Sequence, residues 1–277
     1  MHQSYRTALV TGASSGIGER LARLLAADGC DLVVVARQAG RLAELAAGLR
    51  DAHHVQVEVL AADLTTPAGL LVAENRLASA GRPVELLVNN AGFGLSGPFA
   101  DVPADSAEAQ IRLNVLALVR LTHAVLPGML QRGHGGVLNV SSVAGFLVWP
   151  GGATYAATKA FVTSFSESVH TEVADRGVHV TALCPGLTRT GSGAEGRPGK
   201  ASAPAFAWLD PDRVARAGLD AVAAGRPVAT AGAPYKAMVP LARIVPRRVL
   251  RIAGRALRRD AESRSGCGPT AESTRNP

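Results

Sequence analysis

Residues Thr7 to Gly18 read TALVTGASSGIG, and Leu21, Leu24 and Leu25 follow them at helical spacing. A short apolar run, a glycine-rich turn and an amphipathic helix therefore come in that order. Glycines allow a tight turn and a close backbone approach, and a helix N-terminus offers N–H groups and the positive end of a dipole to a pyrophosphate. This makes Gly12, Ser14, Ser15, Gly16, Ile17 and Gly18 candidate phosphate contacts. The spacing is G-x-x-x-G-x-G and not the commoner dinucleotide fingerprint, so by itself the turn could equally be packing. Its place between a strand and a helix favours a nucleotide.

Working outward, Leu32 to Val35 is apolar throughout, as expected of a parallel strand covered on both faces. Arg37 stands just after it, where an acid would accept from the adenosine ribose of NAD and an arginine accommodates a 2′-phosphate. The arginine without an acid favours NADP(H), with NAD(H) as the second choice and a solvated loop charge as the plain alternative. A helix pattern over Arg41–Leu49 leads to a third strand, Val55–Leu60, and to Asp63 and Leu64, where the carboxylate could meet an adenine amino group or cap the helix that starts near Pro67. The fourth strand, Val84–Val88, ends in Asn89, Asn90, Ala91 and Gly92. These offer hydrogen bonds and room for a ribose, or ordinary turn chemistry. A long periodic segment from Ile111 to Leu126 carries Asn114, which needs partners if buried. Strands over Val137–Val140 and Val178–Leu183 flank the helix of Tyr155, and the second of them runs into Pro185-Gly186.

This alternation predicts an α/β fold with a single doubly wound parallel sheet and helices on both faces. Residues 187–209 break the pattern and read as a substrate lid. A helix over Pro211–Ala224 and a strand over Pro227–Thr230 close a domain at 1–233. A basic amphipathic extension at 234–259 follows, with a helix starting near Pro246, and then a polar tail at 260–277 expected to be disordered.

The chemistry gathers in Ser141 to Lys159, SSVAGFLVWPGGATYAATK. Tyr155 and Lys159 are four apart, on one helix face. An unperturbed phenol titrates at about 10 and a nearby cation lowers an acid by about 1 to 3 units, into the range useful for acid/base work. Ser142 ends the preceding strand, where open α/β sheets place ligands. Tyr155 would move a proton at a substrate oxygen that Ser142 holds, with Lys159 tuning the tyrosine.

Composition narrows the field further. At 277 residues, 47% apolar and 18% charged, the chain suits one domain with a large core. Three cysteines without ligand spacing indicate a reducing compartment, and no metal site is expected. No signal peptide and no uninterrupted bilayer-length apolar window are read, so the expectation is a cytoplasmic protein, with contact at the inner membrane face as an alternative. Eight positive charges, one lysine and seven arginines with no acid, fall within 236–259, leaving the rest of the chain close to neutral. Few aromatics and no basic stripe elsewhere argue against nucleic acid.

Taken together, Thr11 to Gly18, Asn89 to Gly92, Asn114, Ser142, Tyr155, Lys159 and Pro185-Gly186 resemble the short-chain dehydrogenase/reductase family, over about Thr7 to Thr230. GFGLSGPF after Asn90 and LPGMLQRGHGGVLNVSS before the active stretch resemble a bacterial, DltE-like subgroup of poorly assigned substrate. The resemblance implies a Rossmann domain binding NAD(P), with Tyr155 as acid/base and Ser142 on the carbonyl or hydroxyl. It also puts Lys159 on the nicotinamide ribose, Asn114 at a proton-relay water, and Thr188 and Thr190 near the nicotinamide amide and the phosphates. Thr158 stands where serine is commoner in the family, keeping the hydroxyl. The implied reaction is hydride transfer to a carbonyl or from a secondary alcohol. Phe93, Phe146 and Trp149 suggest an apolar small-molecule substrate, and the family suggests a homodimer or homotetramer through the helices around Asn114 and Tyr155. Two alternatives stay open: a non-catalytic NAD(P)-binding regulator, and a membrane-surface reductase of a lipid-like substrate. For the basic helix, packing on its own protein or on another subunit is favoured over a membrane.

Overall fold

A computed structural model of the chain describes residues 4–189 and 205–264, without the side chains of 206 and 256–264. Seven parallel strands, β1 (Thr7–Thr11), β2 (Asp31–Ala36), β3 (Val57–Ala61), β4 (Leu86–Asn89), β5 (Gly135–Val140), β6 (Val178–Cys184) and β7 (Val228–Thr230), lie in the order β3-β2-β1-β4-β5-β6-β7. The register sets Val10 against Val34 and Val88, and Val88 against Leu138. The strand order reverses between β1 and β4, and a crevice opens there beyond the carboxyl ends.

Side chains alternate along each strand, so the sheet feeds two cores. Ala8, Val10, Val34, Leu86, Val88 and Leu138 meet α1 (Gly16–Ala27), α2 (Ala39–His53) and α7 (Pro211–Ala223) on one face. Leu9, Val33, Val35, Leu87 and Val137 meet α3 (Pro67–Ala78), α5 (Leu118–Arg132) and α6 (Ala153–Val173) on the other. This is the expected doubly wound sheet.

α4 (Ala104–Ile111) continues through a π turn, Arg112–Ala117, into α5. The whole segment, Ala104–Arg132, is long and apolar enough by composition to cross a membrane, although Arg112 and Arg120 interrupt it. In the fold Leu121, Val125 and Met129 bury its α5 part against the sheet.

The C-terminal region departs further from expectation. α8 (Ala233–Ile244), which the reading of the sequence lacks, joins the core through buried Tyr235 and Val239, so the domain does not close at 233. α9 (Arg247–Arg264) runs beyond Arg259 into the stretch expected to be disordered; 265–277 fall outside the described residues. Of the predicted apolar stripe on α9, the two residues whose side chains are described do not face the body either. Val249 and Ile252 are exposed, and among the described side-chain positions of α9 the buried one is Gly254, where a Cβ would stand 2.9 Å from the Val148 carbonyl. Only a residue without a side chain allows the helix this close to the Val148–Pro150 turn.

Candidate active site

Thr11 at the end of β1 organises the cofactor side of the crevice. Its hydroxyl donates to the Val88 carbonyl at 3.2 Å and accepts from the Asn90 and Ala91 amides at 3.0 Å each. Asn90 Nδ2 donates back to the Thr11 carbonyl at 2.9 Å and the Gly12 carbonyl at 3.2 Å. The glycine turn and the β4 end are thereby one rigid piece. Gly12 has φ +66°, and a Cβ there would lie 2.8 Å from Asn90 Nδ2. Gly18 is likewise pressed against the Gly12 carbonyl and Asn90, and unlike Gly12, Ser14, Ser15, Gly16 and Ile17 it does not line the crevice. Ser15 precedes α1 without capping it through its side chain, which leaves the first-turn amides available to an anion.

Arg37, exposed after β2, lines the same crevice together with Arg41, Asp63 and Leu64. Burial pushes the Asp63 carboxyl up, but the Thr65 hydroxyl at 2.7 Å, the Thr65 amide at 2.9 Å and the charge of Arg37 outweigh it and hold the group below its ordinary value. Asp63 does not cap α3. Thr66 does, accepting from the Gly69 amide at 3.1 Å.

On the reaction side, Ser142, Tyr155 and Lys159 line one open cleft of about 720 Å³ with Asn90, Ala91, Gly92, Pro185, Gly186 and Thr188. Ser142 Oγ accepts from the Ala144 amide at 3.1 Å, which fixes it while its own proton remains to be given. Lys159 is buried, donates from Nζ to the Val140 carbonyl at 2.7 Å and sits 5.8 Å from the centre of the Tyr155 ring. Burial pulls its ammonium down to about 8.

Asn114 lies behind this wall and does not line the cleft. Its Nδ2 donates to the Phe93 carbonyl at 2.9 Å and to Thr158 Oγ1 at 3.1 Å, and its Oδ1 accepts from the Phe93 amide at 3.0 Å. Both side-chain donors are spent inside the protein, leaving one lone pair on Oδ1. Thr158 in turn donates to the Tyr155 carbonyl at 2.8 Å, which accounts for the hydroxyl kept at that position. Gln110, one helical turn before Asn114 and unassigned by the sequence reading, grips the same Phe93 carbonyl at 2.9 Å.

Phe93 and Trp149 line the cleft, with Leu95 and Leu113 in addition. Phe146 does not: it packs on the core, with the Arg243 guanidinium 5.3 Å from its ring centre. The base of the expected lid is pinned. The Leu209 amide donates to the Leu187 carbonyl at 2.7 Å and the Arg189 amide to the Leu209 carbonyl at 3.1 Å. Tyr235 of α8, also missed, accepts from the Leu187 amide at 3.1 Å, donates to the Ala207 carbonyl at 2.8 Å and lays its ring against Gly186. Thr190 and residues 191–204 fall outside the described residues.

Known proteins match this chain in sequence and in fold. The short chain dehydrogenase family model matches residues 6–201. Sulfoacetaldehyde reductase 2 of Chromohalobacter salexigens is 38% identical over 184 residues, 66% of this chain and 72% of that protein. Very-long-chain 3-oxoacyl-CoA reductase of Anas platyrhynchos is 33% identical over 219 residues, 78% of this chain and 68% of that protein. Among solved structures, a short-chain dehydrogenase from Sphingobium yanoikuyae in complex with NADPH superposes with a TM-score of 0.76 at 38% identity, covering 97% of this chain and 98% of its own. The bulky-bulky ketone specific alcohol dehydrogenase from Comamonas testosteroni does so with 0.74 at 32% identity, covering 97% of both chains. With the glycine turn, Ser142, Tyr155 and Lys159 on one crevice and these matches along the chain, the protein belongs to the short-chain dehydrogenase/reductase family of oxidoreductases.

Proposed function

We propose that the protein is an NADP(H)-dependent carbonyl reductase, or secondary-alcohol dehydrogenase in the reverse direction, acting on an apolar small molecule. The observation that carries this reading is a single cleft with a phosphate cradle and Arg37 on one side and Ser142, Tyr155 and Lys159 on the other. The cradle fits a dinucleotide: Gly12 and Gly16 both adopt positive φ, which keeps the turn before α1 tight, and a side chain at Gly12 would strike Asn90. The NADPH held by the Sphingobium yanoikuyae protein and the ketone named for the Comamonas testosteroni enzyme support the assignment.

In that cleft a nicotinamide cofactor supplies or accepts the hydride. The chain's own part is proton chemistry and positioning. Ser142 donates its free O–H to the substrate oxygen, and Tyr155 gives that oxygen a proton in reduction or removes one in oxidation. Lys159, held at about 8 by burial, remains mostly protonated at neutral pH and stabilises negative charge on the phenol beside it. Gln110 and Asn114 fix the Phe93 backbone and through Thr158 the first turn of α6, so Tyr155 meets the substrate at a set distance. Arg37 pairs with the 2′-phosphate.

A panel of ketones and alcohols from short-chain to polycyclic, offered with each cofactor and followed by absorbance of the reduced nicotinamide, tests this reading. The expected result is NADPH-linked reduction that improves as the ketone becomes more hydrophobic. Tight NADPH binding with no turnover of any carbonyl or alcohol would favour the non-catalytic regulator.

A further inference from the structure

We propose that the α8–α9 segment is a docking surface for an anionic lipid bilayer, placed so that the mouth of the cleft faces the membrane. Two pairs of aliphatic residues flank the Val245–Pro246 turn and point away from the body. Leu241 is 62% exposed and Ile244 81%; Val249 is 51% and Ile252 59%. Within each pair the residues are three apart, so they share a helix face. Body contact uses other positions. Tyr235 and Val239 anchor α8, Arg243 is paired with Glu167 at 2.8 Å, and Gly254 seats α9 on the Val148–Pro150 turn.

Charge identifies the occupant. Arg247, Arg248, Arg251 and Arg255 are all exposed, and among the described residues no ion pair holds any of them. Arg247, Arg251 and Arg255 recur every four residues, a like-charge row that weakens a helix in water and that an anionic surface relieves. A second copy of this chain meeting the same face about a two-fold axis would set arginines against arginines. A bilayer bearing anionic headgroups accepts both features, the arginines at the phosphates and the aliphatic pairs below them. The turn on which Gly254 sits carries Trp149, which lines the cleft, so a docked α9 brings the substrate entrance to the lipid phase.

Co-sedimentation of the full-length protein with vesicles tests the surface without reference to activity. Phosphatidylcholine vesicles holding about one third phosphatidylglycerol should pellet most of the protein at low salt, whereas pure phosphatidylcholine vesicles, or high salt, should leave it in the supernatant. Val249→Asp with Ile252→Asp, and separately Arg248→Glu with Arg251→Glu, should each abolish pelleting while NADPH binding and turnover of a water-soluble ketone stay unchanged. Ile244→Asp, on the other helix, should weaken pelleting several-fold. Full-length protein that stays in the supernatant with anionic vesicles at low salt overturns the proposal, as do variants that pellet like the parent. Lipid-free oligomers that fall apart in the Val249→Asp, Ile252→Asp variant would assign the face to a second copy instead.

Discussion

Ser141 and Ser142 are neighbours with opposite fates. Ser141 is buried, its hydroxyl donating to the Lys159 carbonyl at 2.7 Å, while Ser142 is half-buried, its Oγ accepting from the Ala144 amide at 3.1 Å. Asn89 and Asn90 divide in the same way: Asn89 Nδ2 bonds Asn139 at 2.9 Å and Thr122 at 3.1 Å inside the core, and Asn90 ties the glycine turn. Residue type and spacing mark both pairs in the sequence, but not which member is buried, because Ser142 and Asn90 lie just past the ends of β5 and β4, where the turn geometry decides it. Three predictions belong at this scale. Tyr155→Phe keeps the ring and loses the hydroxyl, so turnover should drop about 10²- to 10⁴-fold with NADPH affinity intact. Arg37→Ala removes a charge-assisted bond worth about 1.5 to 3 kcal/mol, so titration should show NADPH weakened about 10- to 150-fold and NADH hardly changed; a parent protein that prefers NADH would contradict the assignment. Lys159, at about 8 in the fold against 10.5 when exposed, binds fewer protons folded than unfolded between those values. Below the window it is charged in both states and its burial opposes folding in full; above it the group is neutral in both. Stability of the cofactor-free protein should therefore gain about 3 kcal/mol from this group as pH rises through 8 to 10.5. Denaturation curves of Lys159→Met, read against the parent at both ends of the window, should lack that gain.

Among the elements, those that form the parallel sheet were legible because strands buried on both faces are written as unbroken apolar runs, such as Leu32 to Val35. α8 was not. It carries Pro234 and Pro240, and its inward stripe is only Tyr235 and Val239, while Leu241 and Ile244 face outward and blur the period. The π turn at Arg112–Ala117 leaves no compositional mark at all, although it carries buried Asn114 and marks the kind of place where π turns collect, at functional sites. Tyr235 shows what α8 contributes, since its hydroxyl bonds both Leu187 and Ala207, on either side of the stretch expected to act as a lid. Tyr235→Phe leaves the Leu187 amide without its partner and should lower stability in urea by about 1 to 3 kcal/mol, and it should raise the Michaelis constant for the ketone more than it lowers the turnover number. Gly186 gives an independent check. A Cβ at 186 strikes the Tyr235 ring, so Gly186→Ala should destabilise the parent markedly and the Tyr235→Ala background much less, a coupling that a double-mutant cycle reads directly.

At the scale of the whole molecule, strand reversal between β1 and β4 brings the glycine turn and Ser142, Tyr155 and Lys159 to one crevice, while the charge and apolar surfaces lie elsewhere. The sequence located the charge block at 236–259, but not how the apolar surface divides, because exposure depends on what each helix packs against. α5 and α6 cover the sheet with Leu121, Val125, Met129, Val169 and Val173, yet Leu116 and Phe161 remain exposed on the outer side, with Phe161 stacked on Phe165 at 5.8 Å. The π turn that bears Leu116 packs against α6, the helix that bears Phe161, so the two elements form one continuous stretch. That stretch is free of the arginine row that bars α9 from a two-fold contact, and self-complementary apolar patches are what isologous dimers bury. The protein is therefore expected to associate through α5 and α6, leaving the cleft and α9 open. Phe161→Asp together with Leu116→Asp should reduce the sedimentation mass at micromolar concentration to that of a single 28.4 kDa chain, with NADPH binding retained. A parent protein already monomeric under those conditions, or a double variant of unchanged mass, would remove this surface from consideration and leave the β7 edge of the sheet as the next place to look.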